Sequence, residues 1–202
     1  MNKKKKLYLS SYIQTSQNKL LAYDSFARAD GPLGTSETTG PGGRRCPART
    51  WDPTVGVWGI GSEMGQCSGL IGGMAIATVP IPVRDIDVRA NVARMLGQVG
   101  IVASFTDKDN CIIGMIGDSN AVLGKMVLGV WTALITSPYS YFGNQVLRII
   151  VQGTQVKMFF NGIQIGTTQT VTDALILAGT DAGLYSDNDI NNFFDGFTVY
   201  KM

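Results

Sequence analysis

At 202 residues and 21.7 kDa, the chain suits one sandwich or barrel domain, hiding roughly 70% of its unfolded surface without disulfides or metals. Charged residues are 16% against 45% hydrophobic, which excludes a disordered chain, and the absence of histidine excludes every site that needs imidazole. The net charge of +2 divides unevenly: residues 1–19 hold five lysines and no acid, while residues 20–202 are mildly acidic, with no basic stripe of the kind a nucleic-acid-binding body carries.

Residues 1–19 read as a basic extended arm. Lys3, Lys4, Lys5 and Lys6 repel one another in any packed element, so the arm is either a solvated tail or an anchor on a partner surface. Fully extended it reaches roughly 60 Å. Ser10, Ser11 and Gln14 interrupt the apolar stretch that a secretory signal needs, so none is expected. No run reaches the ~20 apolar residues of a membrane span.

From residue 20 the chain reads as short strands separated by turns, and residues 20–202 are expected to form the sandwich. LLAYDSFAR is the first strand, followed by a long loop over residues 31–53 rich in Gly, Pro and Thr. VGVWGIG and MAIATV come next. In VRDIDVRANV, Ile86, Val88, Ala90 and Val92 alternate with Asp85, Asp87, Arg89 and Asn91, the pattern of a half-solvated antiparallel strand. VGIVASF and CIIGMIG flank the polar connection TDKDN; KMVLGVWTALI follows; VLRIIVQG and QVKMFF pair around Gly153. Asn161-Gly162 is a strong hairpin signal. DALILAG reads as one helical turn, and AGLYS and FFDGFTVY close the chain as strands. About a dozen strands at 8–12-residue intervals predict an all-β antiparallel sandwich or jelly roll.

Four segments then suggest a family. DSFARADGPLG, VGIVASFTDKDNCIIGMI, LRIIVQGTQVKMFFNGIQI and AGLYSDNDINNFFDGFTVYK resemble, in order, the motifs of laminin-G-like, concanavalin A-like lectin and glucanase domains. The resemblance covers most of residues 24–201 except the 35–70 region. It implies a jelly roll whose last strand lies beside its first. It says little about a ligand, because fold does not fix function.

The same fold hosts glycoside hydrolases, which need two carboxylates about 5–9 Å apart. Here Glu37 and Glu63 are the sole glutamates and stand apart, and Asp85 and Asp87 are flanked by Arg84 and Arg89, which keep them ionised. No enzyme activity is therefore expected. A cofactor is not expected either, although a structural calcium ion has weak candidates in Asp107, Asp109, Asp187, Asp189 and Asp195. Polar turn chemistry is the commoner explanation for the first four. In FFDGFTVY, strict alternation puts Asp195 on the same face as Phe193, Phe197 and Val199, where it needs a partner.

Sugar rings stack on aromatic side chains, so Trp51, Trp131, Tyr139 and Tyr141 are the candidate glycan platform, with Trp58 assigned to the core. Trp131 also fits a core position. Arg44, Arg45 and Arg49 are either a solvated loop or a contact for an acidic polysaccharide or a subunit. Cys46, Cys67 and Cys111 are read as reduced thiols, with a Cys46–Cys67 pair as the alternative. Lectin-like modules act outside cells, and phage proteins reach the outside by lysis without an export signal. The expectation is therefore a bacteriophage virion protein made in the host cytoplasm, displayed on head or tail and forming a homo-oligomer. It would be anchored to other virion proteins by the arm, for capsid decoration or for adhesion to host surface polysaccharide. A carbohydrate-binding module of a cellular extracellular protein is the alternative, and a glycosidase with a relocated acid pair the third reading.

Overall fold

The computed structural model describes residues 19–93, 97–117, 119–139 and 145–202. The lysines Lys3 to Lys6 and Tyr141 lie outside these residues. The strands are β1 (Leu20–Asp24), β2 (Gly31–Pro32), β3 (Asp52–Val55), β4 (Val57–Gly61), β5 (Met64–Gly69), β6 (Met74–Val79), β7 (Ile86–Ala93) and β8 (Gln98–Asp107). They continue with β9 (Asn110–Ile116), β10 (Asn120–Val127), β11 (Val130–Pro138), β12 (Gln145–Gln152), β13 (Gln155–Phe160), β14 (Ile163–Thr170), β15 (Asp181–Asp187) and β16 (Phe193–Lys201). A short α-helix, α1 (Ala174–Ala178), fills the connection before β15, and a 3-10 turn at Pro41–Gly43 lies in the long loop.

The strands form two antiparallel sheets. The nine-stranded sheet runs β14-β13-β12-β7-β16-β5-β4-β2, with β1 also on β16, and the seven-stranded sheet runs β11-β10-β9-β8-β15-β6-β3. β1 lies beside β16 from Leu20↔Tyr200 to Asp24↔Phe197, so the last strand is zipped to the first. Between the sheets sits one apolar core: Ile86, Val88, Ala90 and Val92 of β7 meet Val99, Ile101 and Ala103 of β8 and Ile112 and Ile116 of β9. The turn Asn161-Gly162 joins β13 to β14 with φ of 47° and 82°, the left-handed pair that a two-residue hairpin requires.

The DSFARADG segment acquires a physical role. The carboxylate of Asp24 is fully buried and accepts hydrogen bonds from the Phe26 N–H (2.9 Å), the Arg28 guanidinium (2.6 and 3.1 Å) and the Trp51 indole (2.7 Å). Asp30 accepts the Ser62 N–H at 2.9 Å. One aspartate therefore fixes the long loop to the end of β1. Each buried lone pair it fills would otherwise cost a few kcal/mol.

The outer face of the nine-stranded sheet is polar and closed on itself. Asp87 is fully buried between Arg89 (3.0 and 2.5 Å) and Arg148 (2.7 and 2.8 Å), which stand opposite each other on β7 and β12. Burial pushes the Asp87 carboxyl up, but the hydrogen bonds and charges of both arginines outweigh it and hold it below the usual carboxylate range. Arg89 stacks on Tyr200 at 5.1 Å and Arg148 on Phe159 at 4.9 Å.

β16 corrects the sequence reading at Asp195. Its register against β7 shifts between Asp195 and Thr198, and Gly196 takes φ 73°. This bulge resets the alternation, so Phe194, Phe197 and Val199 all enter the core while Asp195 faces solvent. Cys46, Cys67 and Cys111 are free and buried. Among the described residues no helix is long and apolar enough to cross a membrane.

Candidate functional site

The outer face of the seven-stranded sheet differs in kind. Along β8, Val99, Ile101 and Ala103 point into the core, and the intervening Val102 points the other way. The same holds for Ile113 and Met115 on β9 and Tyr185 on β15, so a second apolar cluster lies on this face, with Ile76, Phe105, Cys111 and Met126. Strands apolar on both sides explain the near-continuous hydrophobic runs VGIVASF and CIIGMIG.

A depression of about 370 Å³ opens there, lined by Gly72, Met74, Gln98, Met115, Met126, Trp131, Tyr185 and Asp187. Strand register builds it. Asp187 of β15 lies between Met74 of β6 and Gln98 of β8, and Tyr185 lies between Ile76 and Gly100, which faces Met115. Trp131 enters from the edge strand β11, opposite Met126, and its side folds over Gly124 of β10. Any Cβ at Gly124 would collide with the Trp131 ring, so the glycine is what lets the indole lie down on the sheet. Trp131 as a residue stays 36% exposed.

The polar groups converge at one end. The Tyr185 hydroxyl donates to the Asp187 carboxylate, and burial followed by the Asp187 charge pushes the phenol well up. Burial also raises Asp187, with the tyrosine hydrogen bond pulling partly against it. Gln98 beside it offers both a donor and an acceptor. An exposed indole, three methionines and a carboxylate–carboxamide pair can stack the apolar face of a ring and bind its hydroxyls. Two more carboxylates, Asp52 and Asp181, share this outer face nearer β3, and Asp181 is raised by burial first, with the Asp52 charge adding to it.

The sequence candidates separate. Trp131 and Asp187 meet in the depression, although they were proposed for different roles. Trp51 is corrected: it is 4% exposed, packs against Phe26 (5.8 Å) and Phe197 (5.0 Å), and gives its N–H to Asp24. A tryptophan in a Gly/Pro-rich loop was drawn inward because a buried carboxylate waits there for its indole. Tyr139 is half-buried against Phe160 at 4.3 Å. Trp58 lies in the core as expected.

Asp107 caps its own turn, accepting from the Asn110 amide (2.9 and 3.0 Å) and the Asp109 N–H (2.8 Å), while Asp109 pairs with Lys108. Asp189 accepts the Asn191 N–H and side-chain amide, both at 2.9 Å. Among the described residues no three of these ligand types gather as a metal site. Another depression, larger at about 450 Å³ but more open, is lined by Arg28 and residues 35–39, has no aromatic ring, and its Glu37 carboxylate is taken by Ser25. Met74, Gln98, Met115, Met126 and Tyr185 were not anticipated, because they come from five strands that converge only through the register. The Y-x-D spacing of Tyr185 and Asp187, two residues on one strand face, was the readable signal.

No family model and no curated protein matches the sequence. Solved structures do. A carbohydrate binding module, CBM66, from Bacillus subtilis superposes with a TM-score of 0.63 at 14% identity, over 75% of this chain and 95% of that one. The fold is a concanavalin A-like jelly roll. A β-glucanase from Bacillus licheniformis shares it at 0.54 and 10% identity, over 92% of this chain and the whole of the other. So does a protein described among endo-acting O-glycanases of the human gut microbiota, at 0.56 and 8% identity over 91% and 99%.

Proposed function

We propose that the protein is a non-catalytic carbohydrate-binding sandwich whose ligand occupies the depression on the outer face of the seven-stranded sheet. The observation that carries this reading is Trp131: a tryptophan that stays 36% exposed, flattened over Gly124, within a depression that also presents Asp187 and Gln98. Core packing does not need an indole in that position, and a sugar ring does. The likeness to a carbohydrate binding module supports the same reading. The test is a glycan array with the full chain, followed by acrylamide quenching of the best binder's complex. Ligand should shield Trp131, while Trp51 and Trp58 are already shielded by the fold. Silence across the array, or binding that leaves Trp131 as quenchable as before, overturns the assignment.

One observation favours a hydrolase instead: Asp52 and Asp181 interact on the same outer face, and a raised carboxyl beside a second one is what acid catalysis of glycoside cleavage uses. Against it, Asp187 is the single carboxylate among the described residues that line the depression. Loss of a measurable glycanase activity in Asp52→Asn or Asp181→Asn would establish the enzyme; absence of hydrolysis products from bound oligosaccharide favours the binding module.

The narrower role, display on a virion through the lysine arm, is supported by the concentration of Lys3, Lys4, Lys5 and Lys6 ahead of a mildly acidic body. Deleting residues 1–19 should then abolish incorporation into particles, and unchanged incorporation would end that idea.

A further inference from the structure

Resting on the carbohydrate-binding reading, we infer that the depression selects neutral glycans and turns away those bearing carboxylate or sulfate groups. The argument is the charge of this face as a whole. Among the described residues, the outer face of the seven-stranded sheet presents Asp52, Asp181 and Asp187 and neither lysine nor arginine. The one lysine within its strands, Lys125, has the opposite parity to Met126 on β10 and pairs with Asp173 at 2.6 Å. Lys108 sits at the β8–β9 hairpin tip, bound to Asp109 (2.7 Å) beside Asp107, so the tip as a whole is also acidic. The arginines that recognise anions by their planar fork are on the other sheet, where Asp87 holds Arg89 and Arg148.

The walls sharpen the selection. Met74, Met115 and Met126 offer no hydrogen to an anion, and the donors beside them, the Trp131 indole N–H and the Gln98 carboxamide, are neutral, so a charged group seated there loses water without gaining a counter-charge. A neutral sugar brings hydroxyl donors to Asp187 and an apolar ring face to Trp131. A like charge brought near Asp187 in this partly desolvated depression meets repulsion that solvent screens incompletely.

The experiment uses the full chain at pH 7.5 and matched oligosaccharide pairs, one neutral and one carrying sialic acid, uronate or sulfate on the same backbone. At low ionic strength the acidic member should bind at least tenfold more weakly than its neutral partner. The gap should shrink as salt is added, and Asp187→Asn should narrow it at least threefold. Acidic members that bind as well as or better than neutral ones overturn the inference alone, as does a gap that Asp187→Asn and salt leave untouched. If no member of either series binds, the carbohydrate reading falls and this selectivity with it.

Discussion

The two outer faces of this sandwich spend their polar groups differently. On the nine-stranded sheet Asp87 is saturated by Arg89 and Arg148, and both arginines are stacked on Tyr200 and Phe159. On the seven-stranded sheet no cation among the described residues pairs with Tyr185–Asp187, Gln98 lines the depression beside them, and Trp131 lies open over a glycine. A face whose charges are satisfied internally is built for stability. A face with a raised carboxyl and an exposed indole retains interactions for something else. The difference teaches where to look for a ligand when the loops themselves are tied down, as Trp51 and Asp24 tie the longest one.

The largest expected effect tests the closed face. Asp87→Asn leaves two facing guanidiniums without their counter-charge and should cost about 2–3 kcal/mol. That is below the usual cost of breaking a buried pair, because both arginines keep partial solvent contact. In a domain of this size the melting temperature should fall by about 6–10 °C, while affinity for a bound glycan at 20 °C stays within twofold. Acid should act in the same direction. The native carboxyl is depressed, so its stabilisation is present above the unfolded value near 4 and is lost as pH falls through the lower folded value. A pH series of chemical melts should show that loss in the native protein and not in Asp87→Asn.

The second effect tests the open face. Trp131→Ala should weaken glycan binding tenfold or more, about 1.5 kcal/mol, while lowering the melting temperature by less than about 3 °C. Titration calorimetry beside a thermal melt separates the two quantities. A tryptophan that proves structural would reverse them. Gly124→Ala is the subtler version: the new methyl lifts the indole off β10, and it should cost the fold about 1 kcal/mol and the ligand several-fold in affinity.

Much of this architecture was legible in the sequence, because local chemistry sets it. The alternation of Ile86, Val88, Ala90 and Val92 marked β7, Asn161-Gly162 marked the β13–β14 hairpin, and the ordered motifs from Asp24 onward marked the jelly roll. The faces were harder. A single bulge at Gly196 reversed the side predicted for Asp195, since alternation has no memory across an inserted residue. Trp51 read as a surface residue because loop composition says nothing about a buried acceptor contributed from 27 residues away. The depression was the least legible part. Its methionines lie on strands β6, β9 and β10, and only cross-strand register brings them beside Trp131.

The smallest effect is the most specific to the open face. Asp187 is half-buried beside Tyr185, and no charged partner among the described residues offsets that partial burial, so its carboxyl is raised where Asp87 is depressed. The signs are opposite. Ionising Asp187 works against folding, so Asp187→Asn should leave stability at pH 7 unchanged or slightly higher. Ionisation works for binding, because the carboxylate is the stronger acceptor for a sugar hydroxyl. Glycan affinity of the native protein should therefore decline as pH falls through a range above that of an ordinary aspartate. In Asp187→Asn it should start about threefold weaker, roughly 0.7 kcal/mol, and stay flat across the same range. A native affinity profile that is itself flat from pH 7 to pH 4 would remove Asp187 from the ligand and leave Trp131 and Gln98 to hold it.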